Sequence, residues 1–308
     1  MVMLNGKYVA IALSLGFIIE ALTPNKISTV SYRKTIKNLN IAKFISTNPH
    51  LYNLYVSILE DNAPKPRIGF WLRKVALGVL NDKLVGTNTC FGYTLLTIPI
   101  VYAVKHFNDI LDPMKLAEFA TELVLSTTSN EDIKDFYDAL KTVNPSYTNT
   151  YVGNVPDIRS ECLNDYSLLN VLIESSYLDL ITYEITHKYR LTIDAYQYMD
   201  KLSEGEQINI LECVSRTQHY MISKYLDTEV VKGAGMSVAL FIKSYQTIIN
   251  SFRESKETQL KLCRTLDRYL RSKNINLGTI ADILALATSF TLLKHSILNP
   301  LVSSNDVE

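Results

Sequence analysis

Residues 91–104 read FGYTLLTIPIVYAV, a run that contains no charged side chain. A run of 14 residues is too short to cross a bilayer as a helix, which takes about 20 residues, and Pro99 lies inside it. Residues 8–19, YVAIALSLGFII, form a second apolar run. Glu20 ends this run at once, and no small-residue cleavage site appears before Pro24. We therefore predict that both runs are buried helices, neither a membrane span nor a signal peptide.

The rest of the chain follows the same pattern. Apolar residues recur at three- and four-residue spacing in nearly every long segment, and sustained two-residue alternation is absent. This pattern predicts an all-α fold, with a single multi-helix globular domain of about twelve helices over residues 1–302 and a polar tail at 303–308. The helices are expected near residues 5–22, 39–58, 66–80, 89–106, 113–126, 130–142, 162–188, 191–199, 205–226, 235–253, 257–272 and 279–295.

Composition limits the function. The 308 residues include 47% hydrophobic and 20% charged side chains, which disfavours a disordered chain. The 31 basic residues balance the 31 acidic ones, so we expect neither nucleic acid nor a membrane surface as a partner. The four cysteines are scattered without CxxC or Cys/His spacing, which disfavours structural zinc and a disulfide framework. A reduced cytoplasm is the expected setting.

Polar residues interrupt the apolar helices at four segments. The first segment follows the apolar run at 8–19, and the second leads into the run at 91–104. Residues 23–29, TPNKIST, come after the opening helix and are a ligand-binding turn or an ordinary polar turn. Residues 86–92, GTNTCFG, lead into the second run. Asn88 and Thr89 can cap that helix and leave backbone amides free for a phosphate, although an ordinary N-cap has the same pattern.

The other two segments combine carboxylates with glycines. In residues 227–235, DTEVVKGAG, a helix is expected to end at Asp227 and another to begin after Gly235. Lys232 would then lie in a glycine-rich hinge that suits a phosphate, with Asp227 as a magnesium ligand. Helix termination by a glycine alone would explain the glycines but not the Asp-Thr pair. In residues 274–282, NINLGTIAD, Thr279 can cap the last helix and Asp282 would then lie in its first turn. A carboxylate at that position is favourable in any helix.

Taken in order, these segments resemble the triphosphoribosyl-dephospho-CoA synthase family. Glu20 and the turn after it are similar to the family's glutamate followed by Pro-Lys-Pro-Gly, and residues 86–99 are similar to its Gly-x-Asn-Thr-x-x-Gly helix. Residues 128–139, 155–159 and 179–181 resemble its middle region. Residues 227–235 resemble its Asp-Thr and basic-Gly motif, and residues 276–282 resemble its Asn-Pro-Gly-Thr-x-Ala-Asp motif. The resemblance covers most of the chain.

Three departures from the family pattern indicate a divergent or archaeal-type member. The Pro-Lys-Pro-Gly turn reads Pro24-Asn25-Lys26-Ile27 and has lost its glycine. Residues 146–149, SYTN, replace a Gly-Gly-Leu-Gly stretch, and Leu277 replaces a proline. Family membership is therefore better supported than the family's own substrate.

The resemblance implies an enzyme that uses ATP as a ribosyl donor. The ribose 2′-hydroxyl of dephospho-CoA attacks the anomeric carbon of ATP, adenine leaves, and the triphosphate is retained. The transition state of such a transfer has oxocarbenium character, so a carboxylate is needed to stabilise charge or remove a proton. The triphosphate needs Mg²⁺ with carboxylate ligands, together with cations and backbone amides.

The resemblance also assigns roles to residues of this chain. Asp227 and Asp282 are expected to bind Mg²⁺, and Asp179 or Glu184 is expected to act as the base. The residues expected to bind substrate are Lys26 and Lys232 at the phosphates, Asn88 and Thr89 at the triphosphate or ribose, and Thr228, Gly233 and Thr279. A homo-oligomer is compatible with the sequence.

The sequence leaves two alternatives to this enzymatic function. The altered turn at Pro24 and the replaced glycine stretch favour a helical relative that has lost catalysis and acts as a nucleotide-binding or partner-binding module. A different ribosyl acceptor is the other alternative. Retention of Asn88, Asp227, Lys232 and Asp282 favours an enzyme.

Overall fold

The computed structural model describes residues 2–63, 65–106, 112–127, 132–145, 154–158, 163, 165–205, 208–252 and 255–295. These residues form fourteen helices and no strand, which confirms the predicted all-α fold. The helices are α1 (Val2–Leu22), α2 (Ile41–Glu60), α3 (Ile68–Asn81), α4 (Phe91–His106), α5 (Pro113–Thr127), α6 (Asp132–Val143), α7 (Leu168–Ser175), α8 (Leu180–Thr186), α9 (Arg190–Gly205), α10 (Ile210–Lys224), α11 (Thr228–Ala234), α12 (Met236–Ser251), α13 (Lys256–Ser272) and α14 (Gly278–His295).

The apolar runs form the centre of the fold. Residues 93–104 of α4 are all buried, and the helix continues through Pro99. Helix α14 is buried continuously from Ile283 to Leu293 and packs along both α1 and α4. Because these helices are apolar around most of their circumference, each is surrounded by neighbours instead of facing solvent on one side. Among the described residues, no helix is long and apolar enough to cross a membrane. A cytoplasmic location stays a prediction.

The helix count differs from the expected twelve at two places. The single helix expected at 162–188 is interrupted after Ser175, and α8 begins after Asp179, whose side chain caps it. Residues 228–234, expected to be a hinge, form the short helix α11, with Gly233 inside it and Gly235 at its end. Gly235 has a φ of 94°, a backbone conformation that glycine adopts without steric cost.

The segment between α1 and α2 is not helical and is held by α10 and α13. Gln218 accepts a hydrogen bond from the backbone amide of Ile27 at 2.7 Å and donates one to its carbonyl at 3.2 Å. Asp267 accepts one from the amide of Ser28 at 2.8 Å. Ser28 takes a left-handed φ of 50°, and its carbonyl accepts a hydrogen bond from the amide of Leu277. The altered turn is therefore ordered, and it connects the first helix to the start of the last.

Some sequence predictions fall outside the described residues. These are the start of the middle region at Thr128, the replacement of the glycine stretch at 146–149, Arg159, and the polar tail at 303–308 together with the domain end at 302.

Candidate active site

A cleft of about 790 Å³ lies where α1, α4, α6, α8, α11 and α14 approach one another. Its described lining carries four carboxylates and two amines, and the other described lining side chains are uncharged. The charged residues are Glu20, Asp179, Glu229 and Asp282, with Lys37 and Lys232. The cleft is therefore locally acidic, although the chain as a whole is neutral.

The structure brings six of the eleven predicted site residues into the cleft and leaves five outside its lining. The six that line it are Asn88, Thr89, Asp179, Lys232, Thr279 and Asp282. The five that do not are Lys26, Glu184, Asp227, Thr228 and Gly233.

Asn88 and Thr89 lie at the start of α4. The side-chain oxygen of Asn88 accepts a hydrogen bond from the amide of Phe91 at 3.1 Å, so Asn88 caps α4 and also faces the cleft. The hydroxyl of Thr89 lies 2.6 Å from the hydroxyl of Thr47 on α2. Asn88 therefore serves as an N-cap and is also exposed to a ligand in the cleft, so the two interpretations of this residue are compatible.

Asp282 is the fifth residue of α14, one position beyond the first turn in which the sequence predicted it, and it faces the start of α4. A Cβ added to Gly92 would lie less than 3.0 Å from its Oδ2 atom, so the carboxylate occupies space that only a glycine leaves open. None of the described residues donates a hydrogen bond to this carboxylate. Burial, followed by repulsion from Glu229 and Glu20, raises the pKa of Asp282 well above its usual value. The side chain is half-buried, and no cation among the described residues pairs with it.

Glu229, which the sequence analysis did not select, lies close to Asp282. Its Oε2 would be less than 3.0 Å from a Cβ on Gly278, the first residue of α14. The side-chain amide of Asn276 lies 3.3 Å from Oε2, and the amine of Lys37 lies 3.5 Å from Oε1. The only sequence signal was its position, inside the Asp-Thr segment and two residues after Asp227.

Asp179 and Lys232 form an ion pair across the cleft wall. One carboxylate oxygen of Asp179 accepts the amides of Ile181 at 2.8 Å and Thr182 at 3.1 Å and so caps α8, while the other pairs with Lys232. Lys232 stands in the last turn of α11 instead of a hinge. Both side chains remain about one-fifth exposed, at 20% and 22%. The amine is therefore available to a ligand that displaces Asp179.

Lys26, predicted to contact phosphates, is 1% exposed and forms a buried ion pair with Glu20. Glu20 itself lines the cleft. Burial raises the pKa of Glu20 and lowers the pKa of Lys26, and in each case the charged partner opposes the shift. Lys26 therefore fixes the position of the Glu20 carboxylate through this ion pair and does not itself line the cleft.

Asp227 and Thr228 join three helices behind the cleft. The carboxylate of Asp227 accepts the amides of Val230 at 3.1 Å and Ile280 at 2.9 Å, which ties α11 to α14. Burial raises the pKa of Asp227 to about 7. The hydroxyl of Thr228 accepts the amide of Leu180 at 3.2 Å. Both residues organise the wall of the cleft, and both oxygens of Asp227 are already engaged by backbone donors.

Thr279 connects the same helices and also lines the cleft. Its hydroxyl accepts a hydrogen bond from the amide of Glu229 at 3.2 Å and lies 3.3 Å from the hydroxyl of Thr228. Thr279 therefore fixes the backbone that carries the Glu229 carboxylate.

Glu184 and Gly233 lie away from the cleft. Glu184 is fully buried, and its two oxygens accept the amides of Leu191 at 2.8 Å and Thr192 at 2.7 Å, which joins α8 to α9. Its inward-facing carboxylate is thus explained by backbone hydrogen bonds. Gly233 is exposed on α11, and nothing lies within 4 Å of a Cβ built there.

The donor set fits Mg²⁺ only in part. Asp282 and Glu229 offer carboxylate oxygens, which Mg²⁺ prefers, whereas Asp227 has both oxygens engaged. No group of three or more His, Cys, Asp or Glu side chains among the described residues could hold a metal ion alone. Mg²⁺ is usually bound by one or two carboxylates together with substrate phosphates, and this arrangement fits that mode.

Comparisons with known proteins identify the family of this chain. The family model for CitG, the ATP:dephospho-CoA triphosphoribosyl transferase, matches residues 6–299. A crystal structure from Archaeoglobus fulgidus, provisionally named a triphosphoribosyl-dephospho-CoA synthase, superposes with a TM-score of 0.60. It is 19% identical in sequence, and the match covers 82% of this chain and 97% of that one, which shows a shared fold. No curated protein gave a significant match. Because the family model spans nearly the whole chain, this protein belongs to the ATP:dephospho-CoA triphosphoribosyl transferase family and is a triphosphoribosyl-dephospho-CoA synthase.

Proposed function

We propose that triphosphoribosyl transfer takes place in the acidic cleft, with ATP bound together with Mg²⁺ at Asp282 and Glu229. The observation that carries this proposal is the Asp282 carboxylate, which faces the cleft without a donor and among other carboxylates. A half-buried carboxylate among other carboxylates is costly to ionise unless a positive charge lies beside it. A ligand that brings positive charge to this point would therefore be stabilised there.

The charge balance of the lining supports a metal-bound nucleotide. Each lining carboxylate except Asp282 pairs with a lysine amine, so a bare triphosphate would meet an uncompensated carboxylate at Asp282. At an effective dielectric constant near 20, one pair of unit charges 4 Å apart interacts by about 4 kcal/mol. A bound Mg²⁺ would supply the positive charge that lets the triphosphate and the carboxylates share one cleft.

Amines and small polar groups complete the donor site. Lys232 and Lys37 are the described cations of the lining, and we assign the triphosphate to them in place of the buried Lys26. Lys232 would exchange its ion pair with Asp179 for a phosphate oxygen. Asn88 and Thr89 line the cleft at the start of α4, and we assign them to orienting the triphosphate or ribose.

The transfer forms one bond and breaks another. The 2′-oxygen of dephospho-CoA bonds to the anomeric carbon of ATP as the bond from that carbon to adenine breaks. The hydroxyl proton leaves the attacking oxygen, and adenine takes the electron pair of the broken bond and gains a proton from water as it leaves. We assign Glu20 as the group that takes this proton, because it lines the cleft and Lys26 holds it in one orientation. Its raised pKa improves its basicity. Asp179 is less suited, since both of its oxygens are already engaged.

The test measures adenine release and ATP binding separately. Adenine is quantified by chromatography after incubation with ATP, Mg²⁺ and dephospho-CoA, and ATP affinity is measured by calorimetry with and without Mg²⁺. Asp282→Asn is expected to remove the Mg²⁺-dependent part of ATP affinity, whereas Glu20→Gln is expected to keep ATP affinity and lose turnover. Glu118→Gln, on an exposed ion pair with Lys188, is the matched control. An Asp282→Asn protein with full Mg²⁺-dependent affinity would contradict the assignment.

A further inference from the structure

The cleft lining also contains a set of apolar side chains. The set consists of side chains from the second half of α6, from residues 155–158 and from the loop before α8. Its members, which we call the apolar wall, are Leu140, Val143, Val155, Pro156, Ile158 and Leu178. None carries a charge, and every one is at least partly exposed; Leu178 is 48% exposed.

The wall is built as part of the fold. The hydroxyl of Tyr137 donates a hydrogen bond to the carbonyl of Pro156 at 2.8 Å, which fixes residues 155–158 against α6. Phe136 and Tyr137 also line the cleft, but they are only 4% and 2% exposed. Asn144 and Ser175 also line the cleft and provide polar groups beside the wall. An apolar surface with a few polar groups at its border is typical of a small-molecule subsite.

The chemical groups of the two substrates indicate which substrate binds at the apolar wall. ATP consists of a polyanion, a sugar and a planar purine, and proteins commonly hold purines against aromatic faces. The exposed members of the wall are aliphatic side chains and a proline. Dephospho-CoA adds to an adenosine diphosphate a long uncharged arm of methylene groups, a branched dimethyl carbon and two amides. That arm matches an aliphatic wall with polar groups at its border.

We propose that the apolar wall binds the pantetheine arm of the acceptor and that it selects dephospho-CoA over nucleotides that carry the same 2′-hydroxyl without the arm. This inference rests on the proposed function, because it assumes that the acceptor enters the cleft. It assigns the charged residues of the lining to the reacting groups and the apolar wall to acceptor recognition.

The test compares dephospho-CoA with ADP, which is the same nucleotide without the arm. Calorimetry gives the affinity of each for the wild type and for Leu140→Ala and Ile158→Ala, independently of turnover. Removing part of one aliphatic side chain from a hydrophobic subsite is expected to weaken dephospho-CoA binding about tenfold. Binding of ADP should stay unchanged. Leu125→Ala, on the exposed surface of α5, is the matched control and should alter neither affinity.

Two results would overturn the inference. One is unchanged affinity for both ligands in the two wall variants, and the other is an equal loss of affinity for both ligands. Failure of the proposed function is seen separately, as absence of adenine release by the wild-type protein with ATP, Mg²⁺ and dephospho-CoA. Free pantetheine provides a second reading, since it should compete with dephospho-CoA, and Leu140→Ala should weaken that competition.

Discussion

The carboxylate of Glu229 lies against Gly278, in the space that the side chain of any other residue at 278 would fill. Gly278 is the first residue of α14, so the negative charge stands beside the positive end of that helix. Asp282 and Gly92 repeat this relationship at the start of α4. Two glycines, each at a helix start, therefore let two carboxylates approach the same cleft.

Gly278→Ala should displace Glu229 and impair the enzyme. The nearest atom is the end of a flexible side chain, so the carboxylate can move and the fold should survive. We expect Mg²⁺-dependent ATP affinity and adenine release each to fall about tenfold or more, because a carboxylate moved by about 1 Å no longer fits the bound geometry. Calorimetry and chromatography measure these effects, and circular dichroism checks the fold. Normal ATP affinity in Gly278→Ala would contradict a role for Glu229.

Gly233→Ala is the matched glycine variant, and it also tests the sequence-based assignment of Gly233 to substrate binding. Nothing lies within 4 Å of a Cβ at this position, and the residue is in a helix. Alanine should therefore raise the free energy of unfolding by about 0.5–1 kcal/mol and leave ATP affinity unchanged. Chemical denaturation and calorimetry provide the two measurements. A loss of ATP affinity would restore Gly233 to the binding site.

The ion pair of Asp179 and Lys232 gives a prediction that separates binding from proton transfer. Asn is as good an N-cap as Asp, so Asp179→Asn should keep the cap of α8 while removing the ion pair between residue 179 and Lys232. We expect this variant to keep or strengthen ATP binding and to retain adenine release. Lys232→Met should weaken ATP binding about tenfold or more through loss of a charge-assisted hydrogen bond. Loss of turnover with intact ATP affinity in Asp179→Asn would instead identify Asp179 as the base.

The sequence was sufficient for the fold class, because helical periodicity and long apolar runs are properties of the chain itself. It was insufficient at the break after Ser175, where the apolar spacing continues through Tyr177 and Leu178 although Asp179 starts a new helix. Residues 228–234 were also predicted incorrectly. Gly233 suggested a hinge, yet a single glycine costs a helix only about 1 kcal/mol, and packing compensates for that.

The candidate site was predictable as a set of segments but not as a set of side chains. The turn after α1, the start of α4, the start of α11 and the start of α14 do meet at one cleft. The direction in which each carboxylate points depends on contacts between helices. Asp227 turns toward the amide of Ile280, so it ties the helices together, while Glu229, two residues later, faces the cleft. Such directions follow from packing and are not encoded in local spacing.

Asp227→Asn should therefore change stability more than catalysis. An amide can replace only one of the two oxygens that accept the amides of Val230 and Ile280, so one buried backbone donor loses its partner. We expect the free energy of unfolding to fall by about 1–3 kcal/mol. Below the temperature of unfolding, Mg²⁺-dependent ATP affinity should persist. Thermal denaturation and calorimetry measure these two properties, and selective loss of Mg²⁺-dependent affinity would support the original assignment of Asp227 as a metal ligand.

Glu184 should make stability depend on pH. Burial raises its pKa from the usual 4.5 to about 7 in the folded protein. Between these values the folded state keeps a proton that the unfolded chain has released, so the stabilisation is complete below pH 4.5 and is lost as the pH rises through 7. From pH 5 to pH 8, the wild type should lose about 2 kcal/mol relative to Glu184→Gln. Urea denaturation of both proteins at the two pH values measures this difference, and subtraction removes the contribution of Asp227. Because Glu184 joins α8 to α9 outside the cleft, adenine release by Glu184→Gln should remain at the wild-type rate; its abolition in a folded variant would restore Glu184 as the base.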